Sequence, residues 1–292
     1  MSEESTPAIS PLRQRMIEDM TARRLAEKTQ HGHLRAVTWL TKFLRRSPDT
    51  VTGDDLRRFQ AHLVQIGTSP GMINATIFGV RFFLDNTIDK PDLSRRLRPL
   101  KLEHRIPVIL SPDEVTRLID AAPGLKYKTA LSVAYGAGLR AGEVIGLRTS
   151  DIDSERMILR VEQGKGHKDR NAVLPPLLLE RLRIWWRYAK RRGQVIAGGW
   201  VFPGRDPINA MSPRQLNRAV HAAATIAGID KPVSMHTLRH CFATHLLEQK
   251  VDVRVIQVLL GHKKLSTTAT YTQVASTLLQ QVVSPIESQR TQ

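Results

Sequence analysis

A single cysteine, Cys241, stands in the 292 residues, which excludes an intrachain disulfide and any paired-cysteine metal site. Stability must therefore come from apolar burial, and the length allows two domains with a core each. No segment approaches the roughly 20 consecutive apolar residues that span a bilayer. The opening stretch MSEESTPAIS has no apolar signal core, so a soluble, cytoplasmic protein is expected. Internal repeats and low-complexity segments are absent. Acid is scarce as well, with 27 Asp and Glu against 44 Lys and Arg for a net charge of +17. Such a surplus favours a polyanionic partner, nucleic acid first. Residues 1–106 carry 18 basic and 12 acidic side chains and residues 107–292 carry 26 and 15, so both halves are basic, as expected if both touch one polymer.

Helical periodicity dominates the first third. Leu12, Met16 and Met20 mark one helix, and Leu34, Val37, Leu40 and Leu44 a second. Thr52 and Asp55 have the spacing of a capping box that opens a third through Leu56, Phe59 and Leu63. A fourth follows Ser69-Pro70-Gly71 and carries Ile73, Ile77, Val80, Phe83 and Leu84. These four predict a small all-helical domain over 1–88. Residues 89–107 hold three prolines and a run of cations without an apolar period, which reads as an extended basic linker. Its Arg95, Arg96, Arg98 and Lys101 are candidates to lie along a phosphate backbone, or are simply solvated charges.

The second domain, 108–292, opens with Ser111-Pro112-Asp113-Glu114, a capped helix start. Further helices are predicted over about 126–135, 177–192, 212–227, 237–248 and 252–259. Two β-type runs, 158–161 and 171–174, flank a glycine-rich basic stretch containing Lys165, Lys168 and Arg170 and predict a hairpin with a cationic tip. The fold class is thus mainly α with a small β-hairpin, an α+β chain in two domains.

The chemistry gathers late in the chain. His236 and Arg239 lie three residues apart at the start of a helix, on one face. His262 follows Gly261, which can end the preceding helix, and Tyr271 lies nine residues further. Cationic side chains followed by one phenol are the inventory for attack by tyrosine on a phosphodiester. Such a centre gains negative charge on its non-bridging oxygens, so it needs fixed cations and donors. Arg140 stands before Glu143 at helical spacing, which either pairs the two or lets Glu143 orient the arginine. The histidines do not suggest a metal: HExxH is missing and no cysteine pair assists. His240 and His245 read as structural, Cys241 as a small buried hydrophobe, and Tyr127, Tyr135, Tyr188, Trp185 and Trp186 as packing residues.

Ala137-Gly-Leu-Arg140-Ala-Gly-Glu143, Gly164-Lys165-Gly, His236-Thr-Leu-Arg239-His, Leu260-Gly261-His262 and Tyr271 together resemble the tyrosine recombinase family of the phage-integrase and Xer type. Gly142, where many relatives have serine, is a small departure. The resemblance implies a C-shaped clamp on double-stranded DNA, built from a helical core-binding domain and a catalytic domain. It implies strand cleavage and rejoining through a 3′-phosphotyrosyl intermediate, without metal, ATP or other cofactor. Tyr271 is then the nucleophile, Lys165 the general acid, Arg140, Arg239 and His262 the phosphate donors, and His236 either takes the phenol proton or orders the phosphate. Lys168 and Arg170 compete with Lys165 as the functional base of the hairpin and are candidate DNA contacts. The family also implies a tetramer on two DNA sites, or a partner recombinase, near the nucleoid. An apolar run after Tyr271, including Val274, Leu278 and Val282, is expected to dock in its own domain or in a neighbouring protomer. The short stretch before Pro11 favours a simple recombinase without an arm-binding module. Three other readings share parts of this inventory: a catalytically silent DNA-binding protein of the same fold, a type IB topoisomerase, and, most weakly, a metal-dependent transposase.

Overall fold

The computed structural model describes residues 10–102, 107–161, 169–261 and 268. It divides into two compact units, Met1–His104 and Arg105–Gln292, and is mainly helical with one small antiparallel sheet.

The first unit is built on four helices, α1 Pro11–Ala22, α2 Glu27–Leu44, α3 Gly53–Gln65 and α4 Pro70–Phe82. Proline at the first turn and a Ser10 side chain accepting from the Arg13 amide start α1. The Thr52–Asp55 box that opens α3 is formed in both directions, 3.0 Å from the Thr52 amide to Asp55 and 3.3 Å from the Asp55 amide to Thr52. The apolar positions read from the sequence make the core: Met16, Met20, Leu40, Leu56, Phe59, Leu63, Ile73, Ile77 and Val80 are all buried. Helices α2 and α4 cross closely because Gly79 has no side chain; a Cβ there would stand 2.6 Å from that of Ala36. Beyond Phe82 the chain widens into one π-helical turn, Phe83–Thr87, which turns both Phe83 and Leu84 inward.

The segment read as an extended linker differs from that expectation over its first part. It forms a short helix, α5 Pro91–Ser94, and Leu97 is buried in the core of the first unit. The buried Asn74 amide then clamps Leu100, donating to its carbonyl at 2.9 Å and accepting from its amide at 2.7 Å. Two leucines among the cations, Leu93 and Leu97, carry too weak a period to announce this in the sequence, yet both pack on the core of the first unit. Arg95, Arg96, Arg98 and Lys101 remain exposed.

The second unit contains α6 Pro112–Asp120, α7 Leu125–Gly136, α8 Ala141–Ile145, strands β1 Ile152–Asp153, β2 Ile158–Val161 and β3 Arg170–Val173, then α9 Pro176–Arg191, α10 Pro213–Ile226, α11 Met235–Glu248 and α12 Val253–Leu260. Helix α7 is buried through the consecutive residues Thr129 to Ala134, as an element with neighbours on all sides must be. It packs against α9 and α11. The expected two-stranded hairpin is a three-stranded sheet in the order β1-β2-β3, with Ile152 opposite Leu159 and Val161 opposite Arg170. A two-residue edge strand has no sequence period to detect. The link between β2 and β3, 162–168, lies outside the described residues.

Candidate functional site

Three arginines meet one carboxylate between α8, β3 and α11. Arg140 occupies the N-cap of α8, and Glu143, three residues on, turns back to it. One Glu143 oxygen, Oε1, accepts from Arg140 Nη1 at 2.7 Å, while Oε2 accepts from the Arg140 amide at 2.8 Å. The two readings left open for this pair are therefore one geometry: the ion pair is what orients the arginine. The same Oε2 accepts from Arg170 Nη2 at 2.6 Å and lies 3.8 Å from Arg239 Nη1. Burial alone would raise the Glu143 pKa, but the Arg170 charge and the backbone and side-chain bonds from Arg140 bring it below the usual range, so the carboxylate is ionised at neutral pH.

Arg239 reaches this point from α11, whose start is fixed by Ser234 capping the Thr237 amide. This places the helix start two residues ahead of the expected 237. His236 sits in the first turn and Arg239 one turn deeper, with no exposed surface. Its guanidinium donates to the carbonyl of Gly138 at 2.5 Å and to that of Leu260 at 2.5 Å, so two main-chain groups 122 residues apart in sequence fix its plane. Gly138 is in the left-handed region at φ 62°, and a Cβ there would stand 2.5 Å from the Phe242 ring. Glycine at 138 therefore sets both the backbone and the carbonyl that holds Arg239.

Within these four side chains one negative charge faces three positive ones. Nearby histidines add no charge. The His236 ring has an exposed edge, yet desolvation by its close neighbours, and then the charges of Arg239 and Arg140, lower its pKa. His240 stacks edge-on to it at 4.3 Å between centroids, and desolvation, with His236 and Arg239, takes its pKa to about 4. Among the described residues these four side chains sum to about two positive charges in partly dry surroundings, an arrangement suited to an anion. Of the Arg140 side chain 27% is exposed, so an anion from solvent meets it first.

Arg170 requires a correction. The sequence places it among candidate DNA contacts at the hairpin tip, whereas its side chain is only 11% exposed and is turned inward onto Glu143. The signal was present in the strand alternation: Ala172 and Leu174 face the core, and Arg170 shares their face by the period of two. Among the expected site residues, Arg140, Glu143, His236 and Arg239 are thereby brought together. Lys165, Lys168, His262 and Tyr271 lie outside the described residues.

The remaining α11 polar groups serve the frame. His245 Nε2 is 3.0 Å from the Leu110 carbonyl and must donate to it, so Nδ1 accepts from the Tyr135 hydroxyl at 2.9 Å. The Leu110 amide donates to Cys241 Sγ at 3.2 Å, and burial first of all pushes that thiol up to about 11. Both main-chain polar groups of Leu110 are thus tied to α11 at the start of the second unit. Among the described residues no three of His, Cys, Asp and Glu converge as a metal site would require, and no helix is long and apolar enough to cross a membrane.

Known proteins share this sequence and frame. Residues 109–277 match the Phage integrase family and residues 12–92 match the Phage integrase, N-terminal SAM-like domain. A putative integrase/recombinase of Sinorhizobium fredii is 40% identical over 281 residues, covering 96% of this chain and 89% of the relative. The tyrosine recombinase XerA of Pyrococcus furiosus is 34% identical over 276 residues, covering 93% and 94%. A crystal structure of a lambda integrase dimer bound to a core site, 18% identical, superimposes with a TM-score of 0.71 over 89% of this chain and 93% of that one, which is a likeness of fold. The chain belongs to the phage integrase family, the tyrosine recombinases.

Proposed function

We infer that the protein is a site-specific DNA recombinase that cuts and rejoins double-stranded DNA through a 3′-phosphotyrosyl intermediate. The observation that carries this reading is the positive surplus around Glu143, where three guanidiniums meet one carboxylate at the Arg140 and Arg239 positions of the family motifs. Planar guanidinium forks match the non-bridging oxygens of a phosphodiester. Their attraction is strongest when extra charge develops on those oxygens during attack.

In this account the Tyr271 oxygen attacks the phosphorus and its proton passes to His236, which is neutral at pH 7 because its pKa is lowered. The bond from phosphorus to the 5′-oxygen breaks, and Lys165 gives that oxygen a proton. His262, Arg140 and Arg239 supply the donors for the non-bridging oxygens, with the Arg239 plane set by the Gly138 and Leu260 carbonyls. The phosphotyrosine retains the energy of the broken linkage, so a 5′-hydroxyl rejoins the strand without ATP or metal. Arg95, Arg96, Arg98 and Lys101, all exposed, supply contacts to the phosphate backbone, with Lys168 a further hairpin contact. Exchange between two duplexes calls for four active centres, so the working form is a tetramer, of this chain or with a partner recombinase, on nucleoid DNA. The first unit, Met1–His104, serves as its core-binding domain and the second, Arg105–Gln292, as its catalytic domain.

The test is a labelled suicide duplex carrying the element's end sequence, incubated in EDTA with wild type and Tyr271→Phe and resolved on a denaturing gel. The reading expects a covalent adduct with wild type only. Absence of an adduct on DNA that the protein binds refutes it and favours the silent DNA-binding protein.

A further inference from the structure

We propose that Arg170 is a positioning residue for strand cleavage, acting through Glu143 on Arg140 and through Gly261 on the end of α12, whose Leu260 carbonyl holds Arg239. This rests on the recombinase reading above. Arg170 opens β3 and points inward, where its Nη2 lies 2.6 Å from Glu143 Oε2. Oε2 is the oxygen that also accepts from the Arg140 amide, while Oε1 holds the Arg140 guanidinium. Without Arg170, Oε2 keeps the Arg140 amide at 2.8 Å and the longer 3.8 Å contact to Arg239, and the carboxylate loses the short ion pair that braces it.

The stem of Arg170 makes the second contact. It lies across Gly261, so closely that a Cβ at 261 would be 2.6 Å from Arg170 Cδ and 2.9 Å from Nε. Gly261 caps α12 in the left-handed region at φ 63°, and the carbonyl just before it, on Leu260, accepts from Arg239. One side chain therefore braces the carboxylate behind Arg140 and the residue that precedes His262. Its Nε and Nη1 are buried without a hydrogen-bond partner among the described residues. A buried ion pair is by itself weak evidence for a stabilising role.

The experiment measures the single-turnover rate of adduct formation on the suicide duplex at saturating protein, with duplex affinity measured alongside. Wild type, Arg170→Ala, Arg170→Lys, Glu143→Gln and the Arg170→Ala/Glu143→Gln pair are compared. Arg170→Ala is expected to slow cleavage by about 100-fold with affinity within about threefold of wild type, because ground-state binding does not depend on the brace. Arg170→Lys, which keeps the charge and a stem but not the fork, is expected to lose about three- to tenfold. The double variant is expected to cleave within about threefold of Glu143→Gln alone, because residues acting through one another are not additive.

Cleavage by Arg170→Ala within about threefold of wild type overturns the proposal, as does a double variant in which the two losses multiply. If Arg170→Ala fails to bind duplex, the Lys variant decides: slower cleavage at unchanged affinity supports the proposal, and the wild-type rate overturns it. Failure of wild type to form any adduct removes the recombinase reading and this inference with it, whereas normal cleavage by the Arg170 variants removes this inference alone.

Discussion

The two units use the same charged residues in opposite settings. In the first, the Arg57–Asp54 pair has side chains 82% and 65% exposed, and Arg95–Asp92 is likewise at the surface. Its core is apolar, built from helices close in sequence. In the second, Glu143 is only 7% exposed and Arg239 wholly buried, inside a cluster that draws on α8, β3 and α11. Exposed pairs are screened by water and contribute little. A buried charge removed from its partners leaves them stranded, and the loss is large. Exposed cations on the first unit are therefore replaceable without harm to the fold, while the charge cluster of the second unit is part of its core.

The largest effect that contrast predicts is for Arg239→Ala. It strands the Gly138 and Leu260 carbonyls and one edge of Glu143, with an expected loss of about 3–5 kcal/mol in urea unfolding. Adduct formation is abolished while duplex binding stays measurable; full cleavage by this variant contradicts the assignment. Next comes a pair of glycines four residues apart. Gly138→Ala forces a Cβ into the Phe242 ring at positive φ and is expected to lose about 2–4 kcal/mol. Gly142→Ser, whose Cβ meets nothing within 4 Å, is expected to stay within about 0.5 kcal/mol. Equal melting temperatures for the two break the argument.

A smaller effect follows from pH. Desolvation, with His236 and Arg239, holds the His240 pKa at about 4, below the ordinary 6.5. Above 6.5 the ring is neutral in both states and stability is at its full value; as pH falls through this window towards 4 the unfolded chain takes up the proton first and stability is lost. The loss is on the order of 2 kcal/mol after allowance for partial exposure. His240→Asn flattens the urea midpoint between pH 7 and 4.5, and an unchanged slope contradicts the cause given. The Glu143 contribution, with its pKa lowered from 4.5, disappears only at still lower pH. The smallest effect lies on the first unit: Arg98→Ala leaves stability within about 0.5 kcal/mol but reduces the salt slope of duplex binding by about 0.9 for the lost phosphate contact. An unchanged slope removes Arg98 from the interface.

What was legible in the sequence follows the same division. Helices of the first unit announce themselves through local period and capping, so Met16, Leu56, Phe59 and Ile77 were found in advance. Leu97 and the π turn at 83–87 were not, because a single leucine or one widened turn has meaning only against the completed core. In the second unit the motif residues Arg140, Glu143, His236 and Arg239 were legible as types and intervals. The carbonyls of Gly138 and Leu260 that aim Arg239 were not, since every residue has a carbonyl and only the fold selects two of them. The inward turn of Arg170 onto Glu143 was not legible from the charge pattern, because basic residues near a hairpin tip suggest solvent, although the alternation through Ala172 and Leu174 gave its direction.

The central claim is that the positive surplus around Glu143 exists to meet the charge of the scissile phosphate. The direct test compares adduct formation by wild type and Arg140→Ala on two duplexes, one with a normal scissile phosphate and one with a methylphosphonate, which lacks the negative charge. The account predicts that Arg140→Ala loses about 100-fold or more on the phosphate and less than about tenfold on the methylphosphonate. An equal loss on both linkages contradicts it.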